Sequence, residues 1–271
     1  MNIETRYTFG DGDVASERLR LLAQTFAPTT RDLLDRLKKR LRGPPDTVID
    51  LGCGPGFTTD LLGDALGAAR IFGVDRSARL LSAARARSRA DATWVEHDVT
   101  VVPLPTPAAD VLYARFLLTH LRDVTGILAG WKRTLSPCGV IVLEETASMA
   151  SDHPAFRRYY ALVERMQAHY GQAMYVGRSL DAAGLGAGLV RVESTVAERS
   201  LPAATMARLH GMNLQTWKDD PFARASFDVS ELTALSDTLA SIAASAEDAP
   251  PVVCGVRQLV LRRPDAGSSA A

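Results

Sequence analysis

The sequence predicts an α/β fold: one seven-stranded, mainly parallel sheet with helices on both faces, an N-terminal helical prefix and a helical lid. Three observations predict it. β-rich runs near 47–52, 69–75, 92–98, 109–115 and 139–146 alternate with helical spacings, and that alternation demands right-handed crossovers between parallel strands. The first run, Val48-Ile49-Asp50-Leu51, passes straight into Gly52-Cys53-Gly54-Pro55-Gly56, with three glycines in five positions. The first three runs also carry carboxylates at or near their ends, Asp50, Asp75 and Asp98.

Along the chain, residues 1–45 read as the prefix. Leu19, Leu22, Leu33, Leu34, Leu37 and Leu41 recur at three- and four-residue spacing and predict two amphipathic helices, over 13–26 and 29–42. The basic run from Arg36 to Arg42 falls near the end of the second, where positive charge suits the helix dipole, and reads as a solvated face. Residues 46–271 form the main domain. Two further strands are expected near 189–199 and 252–263, and Gly267-Ser268-Ser269-Ala270-Ala271 reads as a frayed tail.

Segments 151–187 and 202–250 read as lid insertions. Asp152-His153-Pro154 starts a helix on which Phe156, Tyr159, Tyr160, Val163, Met166 and Tyr170 share one broad face. Five of the six methionines lie after residue 148, and adaptable apolar side chains suit a cover over a bulky ligand. Taken singly, most of these aromatic positions read as core packing.

Bulk properties narrow the function classes. Lys plus Arg equal Asp plus Glu, 31 against 31, which leaves no net field to attract nucleic acid or an anionic membrane. No stretch approaches the roughly 18 uninterrupted apolar residues of a membrane span. Cys53, Cys138 and Cys254 form neither an even set nor a metal spacing, which points to a reducing, cytoplasmic setting, and no cluster at ligand spacing calls for a metal. Cys53, inside the glycine turn, reads as a small packing residue rather than a reactive thiol.

The glycine turn decides the ligand class. A dinucleotide site needs Gly-x-Gly-x-x-Gly, but Phe57 stands where its third glycine would be, and the Lys-Ser/Thr pair of a P-loop is missing. Asp50 before the glycines would repel a phosphate and suits an ammonium group. With these residues the chain resembles class I S-adenosylmethionine-dependent methyltransferases, Rossmann-like enzymes whose first motif is a strand ending in Asp-x-Gly-x-Gly-x-Gly. The resemblance implies S-adenosyl-L-methionine as cofactor. Gly52, Gly54 and Gly56 would line its methionine portion and Asp50 would lie near its ammonium, with Cys53 in the same loop.

Asp75, beside Arg76, stands where a carboxylate can accept hydrogen bonds from both ribose hydroxyls. Asp75 could instead start the next helix, a task Ser77 can perform. The resemblance assigns Asp98 to the adenine amino group and the Val99 backbone to a ring nitrogen, places Arg115, Phe116 and His120 at or near the cofactor, and implies that the last two strands pair as an antiparallel terminal hairpin. In the leading segment, Tyr7 would contact cofactor or acceptor, or else anchor the prefix with Phe9.

The expected activity is methyl transfer to an O, N or C atom of a small, apolar or aromatic metabolite, with no nucleic-acid or membrane partner. If the acceptor is a hydroxyl, a base is useful, and His120 is the first candidate, with His169 and His210 behind it in the lid. Glu144 and Glu145 point to opposite faces of the fifth strand, so one of them can face the cleft, and Glu145 joins the candidates. Two other readings stay open: an NAD-dependent oxidoreductase, weakened by Phe57 and by the lack of a Tyr-x-x-x-Lys relay, and a non-catalytic S-adenosylmethionine-binding protein.

Overall fold

The structure is a computed structural model that describes residues 13–88, 91–245 and 249–265. Its core is one seven-stranded sheet in the order β3-β2-β1-β4-β5-β7-β6. The strands are β1 (Thr47–Leu51), β2 (Arg70–Asp75), β3 (Ala92–Glu96), β4 (Ala109–Arg115), β5 (Leu135–Ala150), β6 (Val190–Leu201) and β7 (Val252–Arg262). β1 to β5 pair in parallel, whereas β7 runs antiparallel between β5 and β6. The order reverses between β1 and β4, and in such sheets the crevice beyond the strand ends at that reversal is where ligands bind.

Period-two alternation sends neighbouring side chains to opposite faces. Val48, Val111, Val142 and Val260 pack with Leu33, Leu37 and Leu62, from α1 (Asp13–Lys38) and α2 (Phe57–Leu66). Ile49, Leu112, Ile141 and Leu261 pack on the other face with Leu128, Trp131 and Leu180, from α4 (Val124–Trp131) and α6 (Leu180–Gly186). Between β2 and β3 lies α3 (Ala78–Arg87), capped by Ser77, whose hydroxyl accepts the Leu80 N–H. Ser77 therefore starts that helix and leaves Asp75 at the strand end.

A third apolar cluster forms the lid. It joins α5 (Pro154–His169), α7 (Ala203–Trp217), α8 (Pro221–Ser226) and α9 (Val229–Ala244) through Phe156, Tyr159, Met166, Met206, Trp217 and Leu239. Phe26 of α1 and Val252, Cys254 and Val256 of β7 belong to the same cluster, so the lid is continuous with both prefix and sheet.

Two expectations are corrected. The prefix is one helix of 26 residues running through Pro28, not two helices split there. Proline in a helix interior costs about 3 kcal/mol, but Phe26, Thr29, Thr30 and Leu33 on either side are all buried, and this packing holds both halves in line. The last two strands pair antiparallel as expected, with α7, α8 and α9 of the expected insertion between them. The basic run is also more than a solvated face: Arg36 and Arg40 both reach Glu193 on β6, at 2.7 and 3.1 Å, clamping α1 to the sheet edge.

Candidate active site

A cavity of about 870 Å³ opens at the strand reversal and runs from the loops after β1–β4 to the inner faces of α1, α5 and α7. Its sheet end is built from backbone held by carboxylates. Asp75 accepts the Gly54 N–H on Oδ2 and the Ser77 N–H on Oδ1, both at 2.9 Å, so the glycine loop and the β2 end are one unit. Burial pushes the Asp75 carboxyl up, opposed by those two N–H bonds. Asp98 lies in the loop just past β3 and accepts the Thr100 N–H and hydroxyl, while Val99 gives its carbonyl to the Trp131 indole at 2.8 Å. Both line the cavity, with Gly52, Gly54 and Arg76.

The three loop glycines have distinct tasks. All take positive φ, 66° at Gly52, 52° at Gly54 and 77° at Gly56, a region where other residues are strained. A Cβ on Gly56 would lie 2.5 Å from the Trp94 ring, so this glycine admits the β3 tryptophan and does not line the cavity. Gly73 on β2 faces the same ring at the same distance. Trp94, which the sequence reading treated only as strand, is the buttress beneath the loop.

Asp50 and Cys53 also lie outside the cavity lining. Asp50 is buried, accepts the Thr59 hydroxyl at 2.7 Å, and is pushed up to about 7 by burial, with Thr59 and Arg115 pulling the other way. Cys53 is buried near the carboxylates of Asp50 and Asp75, and burial first, then those charges, push its thiol well up. A thiol so placed is inert, as its packing role predicts.

Beyond β4 the chain turns under the cavity. Phe116 takes φ 51°, stacks edge-on against Phe26 of α1 at 4.9 Å, and lines the wall beside Arg115. The Arg115 guanidinium donates to the hydroxyls of Thr30 on α1 and Thr58 on α2, at 3.0 and 2.8 Å, which ties the prefix to the glycine-loop helix. Glu144 completes this tie: its carboxylate accepts the hydroxyls of Thr30 and Tyr113 and the amide of Gln258.

Glu145, a catalytic candidate from sequence, does not line the cavity. It is fully buried and its Oε1 accepts the N–H groups of Leu117 and Leu118, at 2.8 and 2.6 Å. Burial pushes it up to about 8, and its buried Oε2 finds no hydrogen-bond partner among the described residues. It anchors the turn that carries His120. His169 is likewise off the cavity: it is exposed near the end of α5 and stacks flat on Phe222 at 4.0 Å, because its helical position faces away from the Tyr159–Val163 side. His120 does line the cavity, and desolvation, then the charges of Arg18 and Arg76, push it down to about 3, so its imidazole is neutral. Tyr7 lies outside the described residues.

The lid end is lined by Arg18, Leu22 and Phe26 of α1, by Tyr159, Val163 and Gln167 of α5, and by Met206, Leu209, His210 and Asn213 of α7. Tyr159 stacks on His210 at 4.3 Å, and the Tyr160 hydroxyl pairs with His210 Nε2 at 3.1 Å. Burial keeps His210 neutral, down to about 3. Sequence reasoning named His210 and the aromatic stripe but missed Arg18, Gln167 and Asn213. A polar residue at four-residue spacing from Tyr159 and Val163 was the signal available for Gln167. Among the described residues no group of three His, Cys, Asp or Glu could hold a metal ion.

Comparison with known proteins agrees with this geometry. Residues 49–143, the glycine loop through β5, match the family model described as a methyltransferase domain. The trans-aconitate 2-methyltransferase of Paracidovorax citrulli is 38% identical over 98 residues, 36% of this chain and 37% of that protein. That of an Azoarcus species is 35% identical over 130 residues, 47% of each. The matches thus span less than half the length of these relatives. The phosphoethanolamine N-methyltransferase 2 of Haemonchus contortus, solved with S-adenosylhomocysteine, superposes with a TM-score of 0.51 at 16% identity, over 86% of this chain and 52% of that one. At that identity the likeness is one of fold.

Proposed function

We propose that this chain, which carries a class I methyltransferase domain, transfers a methyl group from S-adenosyl-L-methionine to an O, N or C atom of a small, apolar or aromatic metabolite. One observation carries the reading: a single cavity joins a carboxylate-braced glycine loop to an apolar lid. The loop fits an adenosyl amino acid. Among the described residues a Cβ on Gly54 would meet only the Leu19 side chain, at 3.6 Å, which leaves backbone to face a ligand there, and Asp75 and Asp98 retain lone pairs for ribose hydroxyls and an adenine amino group.

When bound, the sulfonium supplies the methyl electrophile, and the protein's work is alignment and exclusion of water. Gly52, Gly54, Asp75, Arg76, Asp98 and Val99 would hold the donor, while Asp50, outside the lining and bonded to Thr59, braces the glycine-loop helix from behind. Arg115 and Phe116 set the wall beside the donor. His120, neutral and poised on the turn held by Glu145, accepts a hydrogen bond from an acceptor hydroxyl and orients its lone pair. A group pushed down to about 3 is a weak base, so orientation is its main contribution. The acceptor is held by the described parts of the lid segments 151–187 and 202–250 over the sheet, with α1 of the prefix closing the side.

The relatives named for trans-aconitate act on a polycarboxylate, whereas this lid wall is chiefly apolar, which supports a different acceptor. A cytoplasmic setting is supported by three free cysteines, and no helix among the described residues is long and apolar enough to cross a membrane. The test is calorimetric titration of the purified chain with S-adenosylhomocysteine and with NAD. Saturable binding of the first alone is the expected result, and binding of NAD alone overturns the proposal.

A further inference from the structure

The lid end of the cavity contains polar atoms that no described residue satisfies. Building on the methyl-donor reading above, we infer that His210 and Asn213 on α7 and Gln167 on α5 form a hydrogen-bonding anchor for a neutral, hydroxylated aromatic acceptor. All three side chains line the cavity. Among the described residues His210 Nδ1, Asn213 Oδ1 and Gln167 Oε1 each find no hydrogen-bond partner, and His210 and Gln167 are only 4% and 2% exposed. Buried polar atoms in a folded protein are almost always paired, so three orphans on one wall mark where a ligand's polar groups belong.

The surroundings define the ligand's chemistry. Between the orphans the wall is Leu22, Phe26, Val163, Met206 and Leu209, so the body of the ligand is apolar. His210 and Asn213 sit three residues apart on one face of α7, and His210 stacks on Tyr159. Gln167 shares a face of α5 with Tyr159 and Val163 but lies two turns on, about 12 Å along the axis. The ligand therefore presents hydrogen-bonding groups at two separated positions. The two amide oxygens accept, so the groups that meet them donate, as hydroxyl or amide N–H does.

His210 is neutral, and the Tyr160 hydroxyl fixes its ring through Nε2, leaving Nδ1 for the ligand. Arg18 on α1 brings positive charge near His120 and Tyr159, which makes a carboxylate-bearing ligand the competing case.

The test uses 2,7-dihydroxynaphthalene, 2,7-dimethoxynaphthalene and 2-naphthoate as probes, titrated by calorimetry into the chain with and without S-adenosylhomocysteine. The diol is expected to bind at least tenfold tighter than the dimethyl ether. Asn213→Leu and Gln167→Met, made separately on different helices and checked for native near-ultraviolet circular dichroism, are each expected to cut that ratio at least threefold. A ratio near one, an unchanged ratio in folded variants, failure of the diol to bind, or tighter binding of the naphthoate overturns the anchor. Failure of S-adenosylhomocysteine to bind counts against the donor reading instead, while the probe ratio measured without it still reads the anchor.

Discussion

The sheet end and the lid end of the cavity are built by opposite means. At the sheet end the contact points are backbone, fixed by carboxylates within a few residues of a strand terminus: Asp75 holds Gly54 and Ser77, and Asp98 holds Thr100. At the lid end they are side chains on three helices far apart in sequence, Arg18, Tyr159, Gln167, His210 and Asn213, and several keep polar atoms unsatisfied. A site of the first kind is rigid and generic, suited to a common donor. A site of the second kind is assembled only by tertiary packing and sets which acceptor fits.

The contrast can be broken most forcefully at its foundation. Gly56→Val adds a branched side chain where φ is 77° and its Cβ would fall 2.5 Å from the Trp94 ring. The left-handed backbone and overpacking together are expected to cost about 3 kcal/mol in urea unfolding. Adding Trp94→Leu should return part of that loss, and failure to do so would remove the buttress role. Next in size, Asp75→Ala removes both N–H anchors and the ribose acceptor, and S-adenosylhomocysteine affinity should fall about 100-fold by calorimetry, two charge-assisted bonds of ~1.5 kcal/mol each. An unchanged affinity would dissolve the distinction between the ends.

A pH experiment sharpens the boundary between them. Glu145 is raised in the folded state to about 8 from an ordinary 4.5, so between those values the folded protein holds a proton that the unfolded chain has lost. Its contribution to stability is therefore fullest below pH 4.5, declines as pH rises, and levels off above about 8. Asp50, raised to about 7, acts in the same direction, so the reading is the difference between parent and Glu145→Gln. That variant should lose part of the decline between pH 5 and 8 in melting temperature, and identical slopes would refute a protonated Glu145. Smallest of all, Thr30→Val removes the hydroxyl between Arg115 and Glu144, and should cost about 1 kcal/mol in chemical unfolding while leaving acceptor preference unmoved.

The same contrast explains what could be read from sequence. The β-rich apolar runs that alternate with helical spacings, the turn glycines and the acidic strand ends are all local in the chain, so the sheet and Gly52, Gly54, Asp75 and Asp98 were legible. The exact service of Gly56 was not, because its partner, Trp94, lies 38 residues on. Glu144 and Glu145 could be assigned to opposite faces, yet which contacts each would make depended on α1 packing over one and the Leu117–Leu118 turn over the other. His169 and His210 both occur in lid helices, and only the packing of α5 against α7 separates the exposed ring from the buried one. Pro28 looked like a break because local propensity favours one, while burial on both sides of it prevails.

The most direct test of the central claim is transfer of an isotope-labelled methyl group from S-adenosyl-L-methionine into a metabolite extract, run with the parent chain and with Asp75→Ala. The account predicts a labelled small molecule that is apolar or aromatic, formed by the parent and lost in the variant. No labelled product, or equal labelling by both proteins, would contradict it.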